Sequence, residues 1–158
     1  MESLLTLRHV EPADYRPIID VVDGWWGGRH MADMLPRLFF THFRSTSFVA
    51  ERGGECVGFL IGFLSQSFTN QAYVHFLGVH PACRGQGIAA ALYEQFFTVV
   101  RATGRDTVKL VTSPMNATSI AFHLLVGFEA RPGDAEIGGV PYQRDYDGAG
   151  EDRVEFVK

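Results

Sequence analysis

The sequence predicts a mixed α/β sheet in which antiparallel strands precede a parallel strand–helix–strand crossover. Three observations carry this expectation. Strand-like and helix-like runs follow one another in the order β-α-α-β-β-β-α-β-α, then a loop-rich tail and a final strand. A Gly53-Gly54 pair between two apolar runs marks a tight hairpin, and so antiparallel neighbours. The run Tyr73–Val79 ends at Pro81, passes through Arg84-Gly85-Gln86-Gly87 and enters a helix at Ile88, which is how a parallel crossover begins.

Taken in order, Leu5–Val10 reads as the first strand. Pro12 and Asp14 suit a helix start, and Tyr15, Ile18, Ile19 and Val22 form its apolar stripe. The segment Asp23–Arg29 interrupts with three glycines, leaving Trp25 and Trp26 adjacent in a loop, either as core plugs or as an aromatic wall over a pocket. A second helix is expected over Met31–Arg44, with Pro36 in its first turn. The hairpin arms are Phe48–Glu51 and Cys56–Gln66, the latter apolar enough for a central strand covered on both faces. A helix over Ile88–Thr103 stops at Gly104, a strand covers Thr107–Thr112, and a short helix covers Asn116–Val126. The tail Glu129–Gly150 reads as loop, and Arg153–Val157 as the last strand.

The loop after Val79 has a definite chemistry. Glycine lets the main chain turn sharply and approach a ligand closely. Unbonded amides at a helix start, aligned with the helix dipole, favour an anion, and successive N–H groups in a tight turn form a nest for one. The loop therefore points to phosphate, or to a mere turn. Gly85–Ala90 also fits the dinucleotide fingerprint G-x-G-x-x-G/A. That reading wants an acid ending the next strand, and Thr107–Thr112 ends without one. Too little chain follows for a six-stranded doubly wound sheet.

The 158 residues suffice for one domain with a sizeable core, and the 46% apolar and 20% charged fractions are those of ordinary globular proteins. A net charge of −4 argues against a nucleic-acid footprint. No apolar run is long enough to span a bilayer, and the first ten residues lack the pattern of a signal peptide. Cys56 and Cys83 fit no metal spacing and read as two unlinked thiols in a reducing cytoplasm.

Two stretches, in this element order, resemble the GNAT superfamily of N-acetyltransferases. Leu77–Pro81 followed by Arg84–Ala89 is similar to its Q/R-x-x-G-x-G/A pyrophosphate loop. Asn116–Phe128 is similar to its N-x-x-A-x-x-x-Y-x-x-x-G-F stretch. The resemblance covers almost the whole chain. It is closer still to uncharacterised bacterial members sharing the WWGGR, HFLGVHP and TSP-N-SIAFH phrases, which bring no substrate with them.

The resemblance implies a single acetyl-CoA-dependent N-acetyltransferase domain that moves an acetyl group directly to a primary amine. Main-chain amides of Gly85, Gln86, Gly87, Ile88, Ala89 and Ala90, with Arg84 beside them, would hold the pyrophosphate. Leu77, Gly78 and Val79 would carry the pantetheine arm and the thioester, with a main-chain N–H for the oxyanion. Asn116 would bond the pantetheine, act as a helix N-cap, or both. Three positions are set against the pattern: Ala82 stands where Gln or Arg is frequent, Ala89 stands at the second glycine-or-alanine position, which the pattern allows, and His123 stands at the tyrosine that usually protonates the leaving thiolate. His123 would be that acid, or a packing substitution with water donating instead.

No carboxylate lies on the two strands flanking the acetyl site, so His75 is the candidate base, with a core histidine as its alternative. It resembles one of two strand histidines in arylalkylamine N-acetyltransferases. His80, next to Pro81, reads as structural. Tyr142, Asp145, Tyr146 and Asp147 would line the acceptor pocket or form a solvated loop; the solvated loop is the expectation. A covalent acyl-cysteine route is disfavoured by where Cys56 and Cys83 fall. Family members are often homodimers. A noncatalytic acyl-CoA sensor would use the same loop without either histidine.

Overall fold

The structure, a computed structural model, describes residues 4–158. Its strands are β1 (Leu5–His9), β2 (Phe48–Arg52), β3 (Glu55–Leu64), β4 (Gln71–Val79), β5 (Thr107–Thr112), β6 (Glu129–Ala130), β7 (Ala135–Ile137), β8 (Val140–Tyr142) and β9 (Val154–Val157). Its helices are α1 (Tyr15–Trp25), α2 (Leu38–His42), α3 (Ile88–Ala102) and α4 (Ala117–Val126). Among the described residues, seven strands form one sheet in the order β1-β2-β3-β4-β5-β9-β6, and β7 and β8 form a separate hairpin. Every neighbouring pair in the large sheet is antiparallel except β4 and β5. The expected mixed sheet with its parallel crossover is present.

Both faces of the sheet are covered. One core lies under α3 and includes Leu60, Val74, Leu92, Tyr93, Phe96, Phe128 and Phe156. The other lies under α1 and α2 and includes Val22, Trp25, Phe40, Phe59, Ile61 and Phe76. This explains why β3 is apolar almost throughout, with six consecutive buried residues. At Gly62 an added Cβ would stand 2.5 Å from the Phe96 ring, so only glycine lets α3 lie this close to the strand.

The helix ends follow their chemistry. Gly104, at φ +79°, closes α3 with two reversed bonds, Gly104 N–H to Arg101 O at 3.0 Å and Arg105 N–H to Val100 O at 3.1 Å. Asn116 caps α4, its side-chain oxygen accepting the Ser119 N–H at 3.1 Å.

Three expectations are corrected. Helix α1 runs through Gly24 to Trp25 instead of stopping at Asp23, because Trp25 is 7% exposed and its burial outweighs the cost of ~1 kcal/mol for one glycine in a helix. The helix expected over Met31–Arg44 is broken into a 3₁₀ turn at Ala32–Met34, the five-residue α2 and a 3₁₀ turn at Arg44–Thr46. Pro36 forces this: it drives Leu35 out of helical geometry, to φ −129° and ψ 63°. The tail is not plain loop, for it carries β6, β7 and β8.

Candidate active site

The site is a gap between two parallel strands. β4 pairs with β5 only from Gln71–Tyr73 against Thr107–Lys109. Beyond Tyr73 the strands part, while β5 stays bonded to β9 as far as Thr112. On its other edge β4 remains paired with β3 out to Val79, and the His80 N–H still donates to Val57 O at 2.8 Å. Main-chain groups alternate along an antiparallel strand, so those of Leu77 and Val79 face the gap. Arg84 spans its outer end, its Nε donating to Val79 O at 3.3 Å and its Nη2 to Trp25 O at 2.6 Å. Arg84 thereby ties the glycine loop to α1, and its guanidinium is turned to carbonyls.

The glycine loop stands just past the gap. Gly85 and Gly87 take positive φ, +77° and +81°, and Gly87 is the N-cap of α3. The first intrahelical bond is Ala91 N–H to Gly87 O at 3.0 Å. Among the described residues, no amide from Gly85 to Ala90 donates to a protein acceptor. These donors are left without protein partners at a helix start, the arrangement that favours a diphosphate. The Gln86 side chain accepts from Arg52 Nη1 at 2.5 Å, and the buried Arg52 Nε has no partner.

His75 owes its position to a bulge. Ile61 pairs with Phe76 and Gly62 with Val74, so His75 is an extra residue in β4. A bulge re-aims the side chain it carries. His75 stacks on Phe39, centroids 4.2 Å apart and planes 9° apart, and its Nε2 lies 2.5 Å from Met34 O. A carbonyl only accepts, so Nε2 holds the proton and Nδ1 carries the lone pair. Burial lowers the pKa of this ring, against a smaller raising effect of the Met34 bond.

His123 is deeper, at 3% exposure. Its Nδ1 lies 2.7 Å from Ser119 O and its Nε2 2.7 Å from the Tyr93 hydroxyl. The Ser119 carbonyl makes Nδ1 the donor, so Nε2 accepts from Tyr93. The ring lies over Phe156, and Tyr93, Phe122 and Phe128 stand around it. Burial lowers the His123 pKa and raises that of Tyr93 well beyond the usual phenol range. His75 and His123 sit in different cores, on opposite faces of the sheet.

The remaining predicted residues divide between packing and the gap. An added Cβ on Gly78 would stand 2.8 Å from Phe59 and 2.9 Å from Trp26. Trp25 is a core residue, whereas the half-buried Trp26 packs edge-on against Phe76 beside the end of β4. His80 accepts the Ala82 N–H through Nδ1 at 3.0 Å, a structural role. The Cys56 thiol is pushed up to about 11 by burial, which removes it as a nucleophile at neutral pH.

Sequence reasoning named Asp145 and Asp147 of the tail but missed Glu151, Asp152 and Glu155. Glu155 of β9 pairs with Val111 of β5, and its Oε2 lies 3.4 Å from the Tyr146 hydroxyl. Arg153 donates to Asp147 at 2.9 Å and to Glu151 at 3.2 Å. Burial raises the Tyr73 pKa beyond its usual range, and the charges of Tyr146, Asp147 and Glu155 add to this. Asp145, Tyr146 and Asp147 are exposed, as expected of a solvated loop, although Tyr146 and Asp147 bond to Glu155 and Arg153, and Tyr142 is half-buried. Beside it, a cavity of about 240 Å³ is lined by Arg29, Ser113, Met115, Tyr142, Asp152 and Arg153 among others. The signal in the sequence is the run of four carboxylates, Asp145, Asp147, Glu151 and Asp152, between Arg144 and Arg153.

The model of the acetyltransferase (GNAT) family matches residues 11–128.

The chain belongs to the GNAT acetyltransferase family.

Among its relatives is an L-2,4-diaminobutyric acid acetyltransferase of Nocardia farcinica, 34% identical over 89 residues, which are 56% of this chain and 46% of that protein. The match thus spans less than half the length of that curated GNAT relative. Two solved structures share the GNAT fold. Ard1 of Thermoplasma volcanium superposes with a TM-score of 0.79 at 18% identity, covering 98% of this chain and 96% of that one. Diaminobutyrate acetyltransferase EctA of Paenibacillus lautus, in complex with L-2,4-diaminobutyric acid and coenzyme A, has a TM-score of 0.71 at 19% identity, covering 98% and 94%. Among the described residues of this GNAT chain, no helix is long and apolar enough to cross a membrane, and no group of His, Cys, Asp and Glu could hold a metal ion.

Proposed function

We propose that this chain is an acetyl-CoA-dependent N-acetyltransferase that passes the acetyl group directly to a primary amine of a small molecule or peptide. The observation that carries the reading is the opening of β4 from β5 directly before a loop of unspent amides. A slot with free main-chain groups, ending at an anion nest, fits a long thioester that ends in a diphosphate. Family membership and the relative's name agree with an amine acceptor.

In this reading the amides of Gly85–Ala90 bind the diphosphate, and Leu77 and Val79 bind the pantetheine along the open edge of β4. Asn116 has used its side-chain oxygen on the helix cap, which leaves its NH₂ for the pantetheine. Acetyl-CoA supplies the activated acyl group. His75 takes a proton from the substrate ammonium through Nδ1, freeing the amine that attacks the thioester, and a ring already neutral at pH 7 is ready to do so. Of the two roles open to His123, its buried and doubly bonded ring supports packing, with water protonating the thiolate. Two free thiols support a reducing, cytoplasmic setting. Light scattering of the purified protein reads whether it is the homodimer that its family resemblance implies.

The test is calorimetric titration with acetyl-CoA, followed by thiol release over an amine panel that includes 2,4-diaminobutyrate. Gly87→Asp should abolish binding, since it puts a carboxylate into the anion site. A Cβ there meets nothing within 4 Å, but at φ +81° any L side chain is strained, so Gly87→Ala, which carries that strain without the charge, is the control and should keep more affinity than Gly87→Asp. Unchanged affinity in that variant would refute the loop assignment. Tight binding with no turnover on any amine would favour the noncatalytic acyl-CoA sensor.

A further inference from the structure

The 240 Å³ cavity holds opposite charges that do not neutralise each other. Arg29 enters from the segment after α1 and, among the described residues, forms no ion pair and no side-chain hydrogen bond. Asp152 enters from the loop before β9. Its Oδ1 accepts the Asp145 N–H at 2.9 Å, and no cation among the described residues pairs with it. The other guanidinium in the lining, Arg153, is already shared between Asp147 and Glu151. The tail wall therefore carries two carboxylates, Glu151 and Asp152, against the one guanidinium of Arg153, which Asp147 also binds, and the α1 wall carries a free guanidinium.

The cavity also lies where an acceptor must arrive. Its floor, Ser113–Met115, joins the end of β5 to Asn116, at the carboxyl ends of the parted parallel strands. Arg29 follows Trp26, which packs on Phe76 beside the end of β4. The cavity is smaller than the ~300–1,000 Å³ of drug-sized ligand sites, so it suits a small metabolite.

We propose that the acceptor is a small amino acid, an amine that also bears a carboxylate, held by Arg29 at the carboxylate and by the Asp152 side of the cavity at an ammonium. The inference rests on the acetyl-transfer reading above and names the class of amine. Guanidinium is the side chain best shaped to bind a carboxylate with two parallel bonds.

Two acceptor pairs that differ only by the carboxylate test it: ornithine against putrescine, and lysine against cadaverine. The kcat/KM for at least one amino acid should exceed that of its decarboxylated partner by about tenfold or more, the value of one charge-assisted hydrogen bond. Arg29→Ala should bring that ratio to near one and leave the KM for acetyl-CoA unchanged. Diamines matching their amino acids in the wild type, or a ratio unmoved by Arg29→Ala, would overturn the proposal. Failure of the acetyl-transfer reading looks different, with no amine acetylated at all. Calorimetry on the CoA-saturated protein then decides: ornithine binding that exceeds putrescine and is lost in Arg29→Ala supports the cavity assignment, and equal binding of the two overturns it.

Discussion

The Tyr93 hydroxyl donates to Nε2 of His123 at 2.7 Å, joining α3 to α4 inside the aromatic core on one side of the parted strands. The bond ties the helix of the β4–β5 crossover to the helix that follows β5. His123→Ala strands a buried hydroxyl and opens a cavity, so it should cost about 2–4 kcal/mol of stability. Denaturant midpoints measure this. The same variant should lose less turnover, at saturating substrates, than a variant at His75.

That bond also sets a pH dependence. The His123 ring is neutral in the fold, with its pKa lowered from 6.5 by burial. Below the unfolded value the denatured chain binds a proton that the folded chain does not, so stability falls as the pH drops. The melting temperature should decline from about pH 6.5 downward. His123→Phe keeps an aromatic ring in the cluster and should flatten that decline; an unchanged slope would assign it to other groups.

His75 is the predicted base. His75→Ala should lower kcat by about 10²–10⁴-fold, with partial recovery at high pH as the free amine accumulates. Affinity for acetyl-CoA should not change. Because burial lowers the ring's pKa from 6.5, the wild-type acid limb from this group should lie below that value. Steady-state pH profiles of both proteins check the assignment.

Gly78 is packed from two sides, with Phe59 2.8 Å and Trp26 2.9 Å from where a Cβ would stand. Gly78→Ala should cost about 1–3 kcal/mol by overpacking and displace the Trp26 ring. A shift in tryptophan emission with lowered stability is the expected result, and an unaltered spectrum would contradict the packing described.

The parts of this molecule legible in the sequence are those with local causes. Glycine at 85 and 87, Asn116 before α4 and Gly104 after α3 each act within a few residues, and each does what its chemistry predicts. What could not be read depends on distant partners. The bulge that turns His75 toward Phe39 shows only in the pairing of β4 with β3. The loop before α2 is pinned by Asp23, whose carboxylate accepts the N–H groups of Met31 and Ala32 at 2.7 and 2.8 Å. Glu155 was invisible as a site carboxylate because β9 enters the sheet beside β5, far from it in the chain. Pro36 was the exception: its effect on Leu35 is local, and a helix stop there was readable.

The central claim is that the open edge of β4 and the amides past it grip an acyl-CoA. Amide hydrogen exchange by NMR, with and without acetyl-CoA, tests it most directly. The amides of Gly85–Ala90, together with those of Leu77 and Val79, should exchange markedly more slowly in the complex. Saturating acetyl-CoA that leaves these amides exchanging as in the free protein would contradict the account.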